Sequence, residues 1–247
     1  MRLLLVGHDN SGSQLLFKSL LNAFPDATFE LAITTGLYYR KTVFQSIMKM
    51  LRESSFIFCA TRAIELFIHR LKGESLSTIA KSANVSTFKT ADINSADTLG
   101  KVRSFAPDFI VSLFTMHIYR AEILSIPRVA AISAHPSSLP KYRGLEVFFW
   151  AMANGEKEIG VSVFKLTPRI DDGLIANQVV LPLEQRDRVW RVYKVTAEAA
   201  SNLLIKTIRE IQDGTVKYRA PEGEGTYFPM PTRDAMKRFW AAGHSLF

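Results

Sequence analysis

Two polar residues stand where chemistry is easiest to build. His135 follows an apolar stretch and precedes Pro136, and Asp171 opens the triplet Asp171-Asp172-Gly173. Imidazole and carboxylate are the side chains that most often move protons near neutral pH. Each also has a plainer reading. A histidine at a strand end is often a satisfied structural residue, and an Asp-Asp-Gly turn is often only a turn. Around His135 the chain carries Ser137, Ser138, Pro140 and Gly144, which impose a definite loop path.

Several chemistries are excluded by what the sequence lacks. The Gly-x-Ser-x-Gly elbow of a serine hydrolase is absent. Gly7 to Gly12 does not make a Gly-x-Gly-x-x-Gly dinucleotide loop. No set of ligands at a defined spacing suggests a metal. Cys59, the single cysteine, sits in the apolar run 56–60 and reads as a buried small side chain; no intrachain disulfide can form, which fits a reducing, cytoplasmic setting. The turn Asn10-Ser11-Gly12-Ser13 precedes a helix. It could present backbone N–H groups to a phosphate, or simply start that helix.

The elements that must position these residues are legible from apolar patterning. Residues 3–6 read as a buried first strand, too short for a signal peptide and interrupted at once by His8-Asp9-Asn10. A helix over 13–23 and a strand over 29–34 follow. Residues 86–90, 109–113 and 129–133 are further strands, and 75–83 and 95–104 are helices. Residues 146–153 read as a helix, 160–166 and 174–181 as strands on either side of the Asp171 turn, and 185–212 as a long helix stopped by Gly214. The tail, 221–247, is a loop and then a short amphipathic helix over 233–242.

This alternation implies an α/β fold, with an open, mostly parallel sheet and flanking helices. Ligands bind such sheets at the carboxyl ends of strands, where residues 114–119 and 133–144 would lie. The chain of 247 residues, 47% hydrophobic and 22% charged, suits one such domain. No stretch approaches the roughly 20 apolar residues of a membrane span.

Residues 41–72 differ from the rest. Apolar positions recur there at helical spacing, interleaved with Arg and Lys. Between Arg40 and Lys81 there are eight Lys/Arg against three Glu, part of a net charge of +8. A helical insertion near residues 40–82 is expected, covering the sheet, packing on a partner chain or lying on a membrane surface.

The stretch Ser-Ala-His-Pro-Ser-Ser-Leu-Pro-Lys-Tyr-Arg-Gly, residues 133–144, resembles the Asn-x-His signature of the formyltransferase family, which includes glycinamide ribonucleotide transformylase, methionyl-tRNA formyltransferase and the sugar N-formyltransferases. Residues 149–155, 160–163 and Ile170-Asp171-Asp172-Gly173 also resemble that family, as do Pro107-Asp108-Phe109-Ile110-Val111 and Met116-His117-Ile118 upstream. Order and spacing hold from Pro107 to Gln178.

The resemblance implies a Rossmann-like formyltransferase domain over 1–220 with an extension over 221–247. It implies 10-formyltetrahydrofolate as donor and a small-molecule amine, such as an amino sugar nucleotide, as acceptor. His135 would stabilise the growing charge on the formyl oxygen or relay a proton, with Asp171 orienting it. Ser133 would stand at the oxyanion position, where the family has Asn. Met116, His117, Ile118, Tyr119, Leu139, Thr167 and Arg169 would line the pterin site, and Asn10 to Ser13 faintly resembles a phosphate loop. Initiator tRNA is not expected as acceptor, because such enzymes carry a further C-terminal domain. A homodimer is one option for assembly. A formyltetrahydrofolate hydrolase, or a binding protein without activity, are the competing readings that Ser133 keeps open.

Overall fold

A computed structural model describes residues 1–35 and 74–246, with the single positions 45, 48, 52 and 60. The helical pair expected over 41–72 lies outside the described residues apart from Gln45, Met48, Arg52 and Ala60, which are helical; Cys59 lies outside them too. The described chain runs β1 (Arg2–His8), α1 (Ser11–Ala23), β2 (Thr28–Thr34), α2 (Leu76–Ser82), β3 (Ser86–Thr90), α3 (Ala96–Phe105), β4 (Phe109–Leu113), α4 (Ala121–Leu124) and β5 (Ala130–His135). It continues β6 (Arg143–Gly144), α5 (Val147–Ala153), β7 (Glu158–Lys165), β8 (Ile175–Pro182), α6 (Val189–Gln212), β9 (Tyr227–Phe228) and α7 (Arg233–Ala241).

Seven strands form one sheet in the order β3-β2-β1-β4-β5-β7-β8. The first five are parallel, and β7 alone runs against its neighbours. The expected mostly parallel α/β sheet is therefore what forms. β1 and β4 are buried along most of their length, which explains the apolar run 3–6 and the nearly continuous one over 109–113, broken only by Ser112. One face packs Leu3, Leu5, Val111 and Ile132 against α1, α2 and α6. The other packs Leu4, Val6 and Ile110 against Leu99, Val102 and Phe105 of α3.

Two elements carry the position of the functional region. The chain order reverses between β1 and β4, which opens a crevice at their carboxyl ends. A separate cluster joins α5 to the tail: Phe149 stacks on Phe239 at 4.7 Å, and both are fully buried. Within residues 221–246, β9 pairs with β6, so the tail closes over the loop after β5. A groove of about 410 Å³ between α1 and α2, lined by Lys18, Asn22, Glu74 and Thr78, lies on the sheet face opposite His135 and contributes nothing to the site.

Candidate functional site

His135 ends β5, and its ring is held on two sides. Nε2 donates to the Tyr142 carbonyl at 2.8 Å, and Nδ1 stands 3.6 Å from Asp171 Oδ2. A carbonyl can only accept, so Nε2 carries a proton and Nδ1 is the nitrogen that faces the carboxylate. The distance of 3.6 Å is too long for a direct hydrogen bond. A water or an amine nitrogen against both groups would bridge them. His135 is 7% exposed.

The expectation that Asp171 orients His135 is refined by this geometry: the Tyr142 carbonyl makes the direct bond. Tyr142 is itself fixed. Its amide donates to Thr226 Oγ1, its ring stacks on Phe228 at 4.8 Å, and its hydroxyl donates to Glu156 at 2.6 Å. Burial and the Glu156 carboxylate push its phenol up to about 12. The tail thus holds the loop after β5 through β9 and Thr226.

Asp171 and Asp172 are adjacent and quite different. Asp172 is paired with both Arg143 and Arg169, the latter at 2.9 Å. Asp171 has no arginine partner among the described residues; its Oδ2 accepts from the Gly144 amide at 3.0 Å and faces the imidazole. Asp171 adopts φ +47, a left-handed conformation that Asp tolerates better than most residues. The turn closes because Gly173 has no side chain: a Cβ there would lie 1.7 Å from the Lys165 carbonyl oxygen.

The loop between His135 and Gly144 is tied down from beneath. Ser162 of β7 donates to the Ser137 carbonyl at 2.6 Å and accepts from the Leu139 amide at 3.1 Å. Gln178 of β8 donates to Ser162 Oγ and to the Leu139 carbonyl. The Leu139–Pro140 bond is cis. Ser162 and Gln178 were legible only as members of the matched span, not as props of the loop.

Ser133 lies two residues before His135 on the same sheet face, since side chains alternate along a strand. It is 8% exposed, and its hydroxyl donates to the Ala134 carbonyl at 3.4 Å, a long contact for an O–H donor. The loop 114–119 follows β4. His117 and Tyr119 are buried in it, and Ile118 is 41% exposed. Asn94 straps its backbone, donating to the Ile118 carbonyl at 2.9 Å and accepting from the Arg120 amide at 2.8 Å. Nothing local in the sequence marked Asn94 for this. Burial pulls the His117 imidazole below its ordinary range, against the opposing pull of Asp92. Met116 is half-buried, Thr167 donates to the Arg169 carbonyl, and Arg169 is exposed.

The turn at Asn10 to Ser13 has its Gly12 and Ser13 donors committed, while the buried Ser11 hydroxyl has no hydrogen-bond partner among the described residues. Asn10 Oδ1 caps α1 by accepting from the Ser13 amide at 2.8 Å and also accepts from Tyr193 Oη. The Gly12 amide donates to Tyr193 Oη at 2.9 Å, and Ser13 Oγ donates to the Leu113 carbonyl. A Cβ on Gly12 would lie 2.4 Å from Tyr193 Oη, so only glycine permits this approach. This geometry is that of a helix start docked on α6, and it leaves the Gly12 and Ser13 amides no proton for a phosphate. No group of three or more His, Cys, Asp or Glu able to hold a metal occurs among the described residues.

Residues 59–208, more than half of the chain, match the family model for formyl transferases. The chain belongs to the formyl transferase family. Among curated relatives, the methionyl-tRNA formyltransferase of Pelotomaculum thermopropionicum is 28% identical over 169 residues, 68% of this chain and 54% of that protein. The bifunctional polymyxin resistance protein ArnA of Wigglesworthia glossinidia brevipalpis is 31% identical over 144 residues, 58% of this chain and 21% of that protein. The match to the curated relatives thus spans about half their length or less. Among solved structures, an N-formyltransferase from Helicobacter canadensis in complex with folinic acid and dTDP-3-aminofucose superposes with a TM-score of 0.64 at 17% identity, over 98% of this chain and 81% of that one. Glycinamide ribonucleotide transformylase 1 from Symbiobacterium toebii does so at 0.62 and 16% identity, over 90% of this chain and 94% of that one. The structural likenesses show the shared fold of the family.

Proposed function

We propose that this formyl transferase family member moves a formyl group from 10-formyltetrahydrofolate to a primary amine of a small molecule in the cytoplasm, with an amino sugar nucleotide as the favoured acceptor class. The observation that carries the proposal is the His135–Asp171 pair, held 3.6 Å apart at the carboxyl end of β5. The acceptor class is favoured by solved neighbours described as sugar N-formyltransferases and by the N-formyltransferase neighbour in complex with dTDP-3-aminofucose.

The residues suit the donor. The loops on either side of the pair each present an exposed isoleucine, Ile118 at 41% and Ile170 at 43%, apolar surface that a planar pterin would cover. Strapping by Asn94 fixes the 118–120 backbone, whose amide and carbonyl groups would otherwise shift under the ligand.

In the reaction, the neutral amine attacks the formyl carbon. The new C–N bond forms while the bond from that carbon to the folate N10 breaks, and N10 leaves with a proton. Negative charge grows on the formyl oxygen in between, and a preorganised donor there lowers the barrier most. His135 supplies that donor from Nδ1, the ring nitrogen that faces the site. Asp171 takes the proton lost by the amine, directly or through a water in the gap between the two side chains, and that proton passes on to the departing N10.

Incubation of the chain with 10-formyltetrahydrofolate and a panel of amines tests the proposal. Donor consumption that depends on one amine class is the expected result. Formate release without amine would replace the proposal with hydrolysis of the same donor. Donor binding without turnover would favour a binding protein, a reading motivated by the long Ser133–Ala134 contact.

A further inference from the structure

The sheet face that carries His135 also carries three hydroxyls with no role in the steps above. Ser112 of β4 and Ser133 of β5 stand side by side in the parallel register, and alternation puts both on the face lined by Leu4, Val6 and Ile110. Strands so paired lie about 4.8 Å apart, close enough for neighbouring hydroxyls to share a proton directly or through one water. Tyr119 comes down from the 114–119 loop onto the same face, 2% exposed, within the same apolar cluster.

The Tyr119 hydroxyl is the anomaly. It is fully enclosed and makes no well-formed hydrogen bond among the described residues, the Ser112 side chain being the polar group that comes within reach. A phenylalanine would fill the same apolar space without stranding a polar atom, and buried hydroxyls are rarely left so. Burial also pushes the phenol far above its ordinary range, so it is a neutral O–H donor at every working pH. Beside it, the Ser133 proton is held only by the long contact to the Ala134 carbonyl.

We propose, resting on the formyl-transfer reading, that Tyr119 is a positioning residue: through the Ser112–Ser133 pair, its phenol turns the Ser133 hydroxyl away from the Ala134 carbonyl and toward the formyl oxygen. A serine oxygen that accepts a hydrogen bond from behind becomes a better donor in front, because hydrogen bonds in a chain polarise one another. Ser133 is too short to span the site with its own orientation uncontrolled, and Tyr119 supplies that control from the buried side. The reacting atoms touch Ser133; Tyr119 acts only through it.

The test is a double-mutant cycle with two readouts, turnover and the infrared band of an isotopically labelled formyl carbonyl on bound donor without amine. Tyr119→Phe lowers kcat on the order of tenfold with KM for donor nearly unchanged, since only the aim of one donor is lost. The carbonyl band moves to higher frequency. In a Ser133→Ala background, Tyr119→Phe adds nothing, and in a Ser133→Asn background, where the longer amide donates unaided, it also adds little. An unchanged kcat and band in Tyr119→Phe would overturn the proposal, as would an equal loss in the Ser133→Ala background, which would mean that the ring acts by packing. A native chain that binds donor without turning it over defeats formyl transfer itself, and the carbonyl band then still reads Tyr119. A native chain that does not bind donor overturns both.

Discussion

Two loops at the carboxyl ends of parallel strands make an instructive pair. The turn after β1, Asn10 to Ser13, satisfies most of its polar groups within the protein, the Ser11 hydroxyl excepted. Asn10 caps the helix, Tyr193 bridges Asn10 and Gly12, and Ser13 bonds back to β4. The region after β5 is held as firmly from beneath, by Ser162, Gln178 and Tyr142, yet leaves its His135 edge open. Nδ1 and the Asp171 carboxylate face each other without touching, and Ser133 is loosely bonded. A loop whose donors are mostly taken serves the fold first. A loop that is braced behind and unsatisfied in front has something left to bind.

The comparison breaks most visibly at His135. Replacing it with Ala should lower kcat by about 10³-fold, within the range of a lost proton-transfer or charge-stabilising group, with little change in the thermal midpoint. Asp171→Asn should cost about 10²-fold in kcat, because the amide keeps the Gly144 contact but cannot take a proton. Steady-state assays of donor consumption measure both.

The other loop should respond in stability instead. Asn10→Ala removes a helix cap and the Tyr193 contact, and should lower the unfolding free energy by about 1 kcal/mol in urea titrations while kcat stays within twofold. An Asn10 variant with normal stability and a raised KM for amine would return that turn to the acceptor site.

The smallest effect sharpens the contrast through pH. The folded pKa of His117 is depressed, so its contribution to stability is whole above its unfolded value of 6.5 and is lost as pH falls from there through the folded pKa. The urea midpoint should therefore decline on acidification from neutral pH, and His117→Gln should flatten part of that decline. Asp92 opposes the shift and His8 adds to it, so a His8 variant should also alter the slope.

Much of the fold was legible because strands covered on both faces announce themselves. Residues 3–6 are an unbroken apolar run and 109–113 one interrupted only by Ser112, and they became β1 and β4. The expected strand over 129–133 in fact extends to His135, since a buried polar end does not look like a strand in sequence. What stayed hidden depends on long-range meetings. The pairing of β6 with β9 joins residues 143–144 to 227–228, and each strand has only two residues. Tyr193 reaches the Asn10 turn from 183 positions away. His135 and Asp171 were legible as a pair only through motif order; that a main-chain carbonyl, Tyr142, would hold the ring could not be read from side-chain types.

The most direct measurement follows labelled formyl from 10-formyltetrahydrofolate into an amine product, with the native chain, His135→Ala and Asn10→Ala run side by side. Label should appear in an N-formyl product with the native chain and with Asn10→Ala, and fall to background with His135→Ala. Equal labelling by His135→Ala, or loss of label with the Asn10 variant alone, would contradict the division of the molecule into a braced chemical loop and a closed structural one.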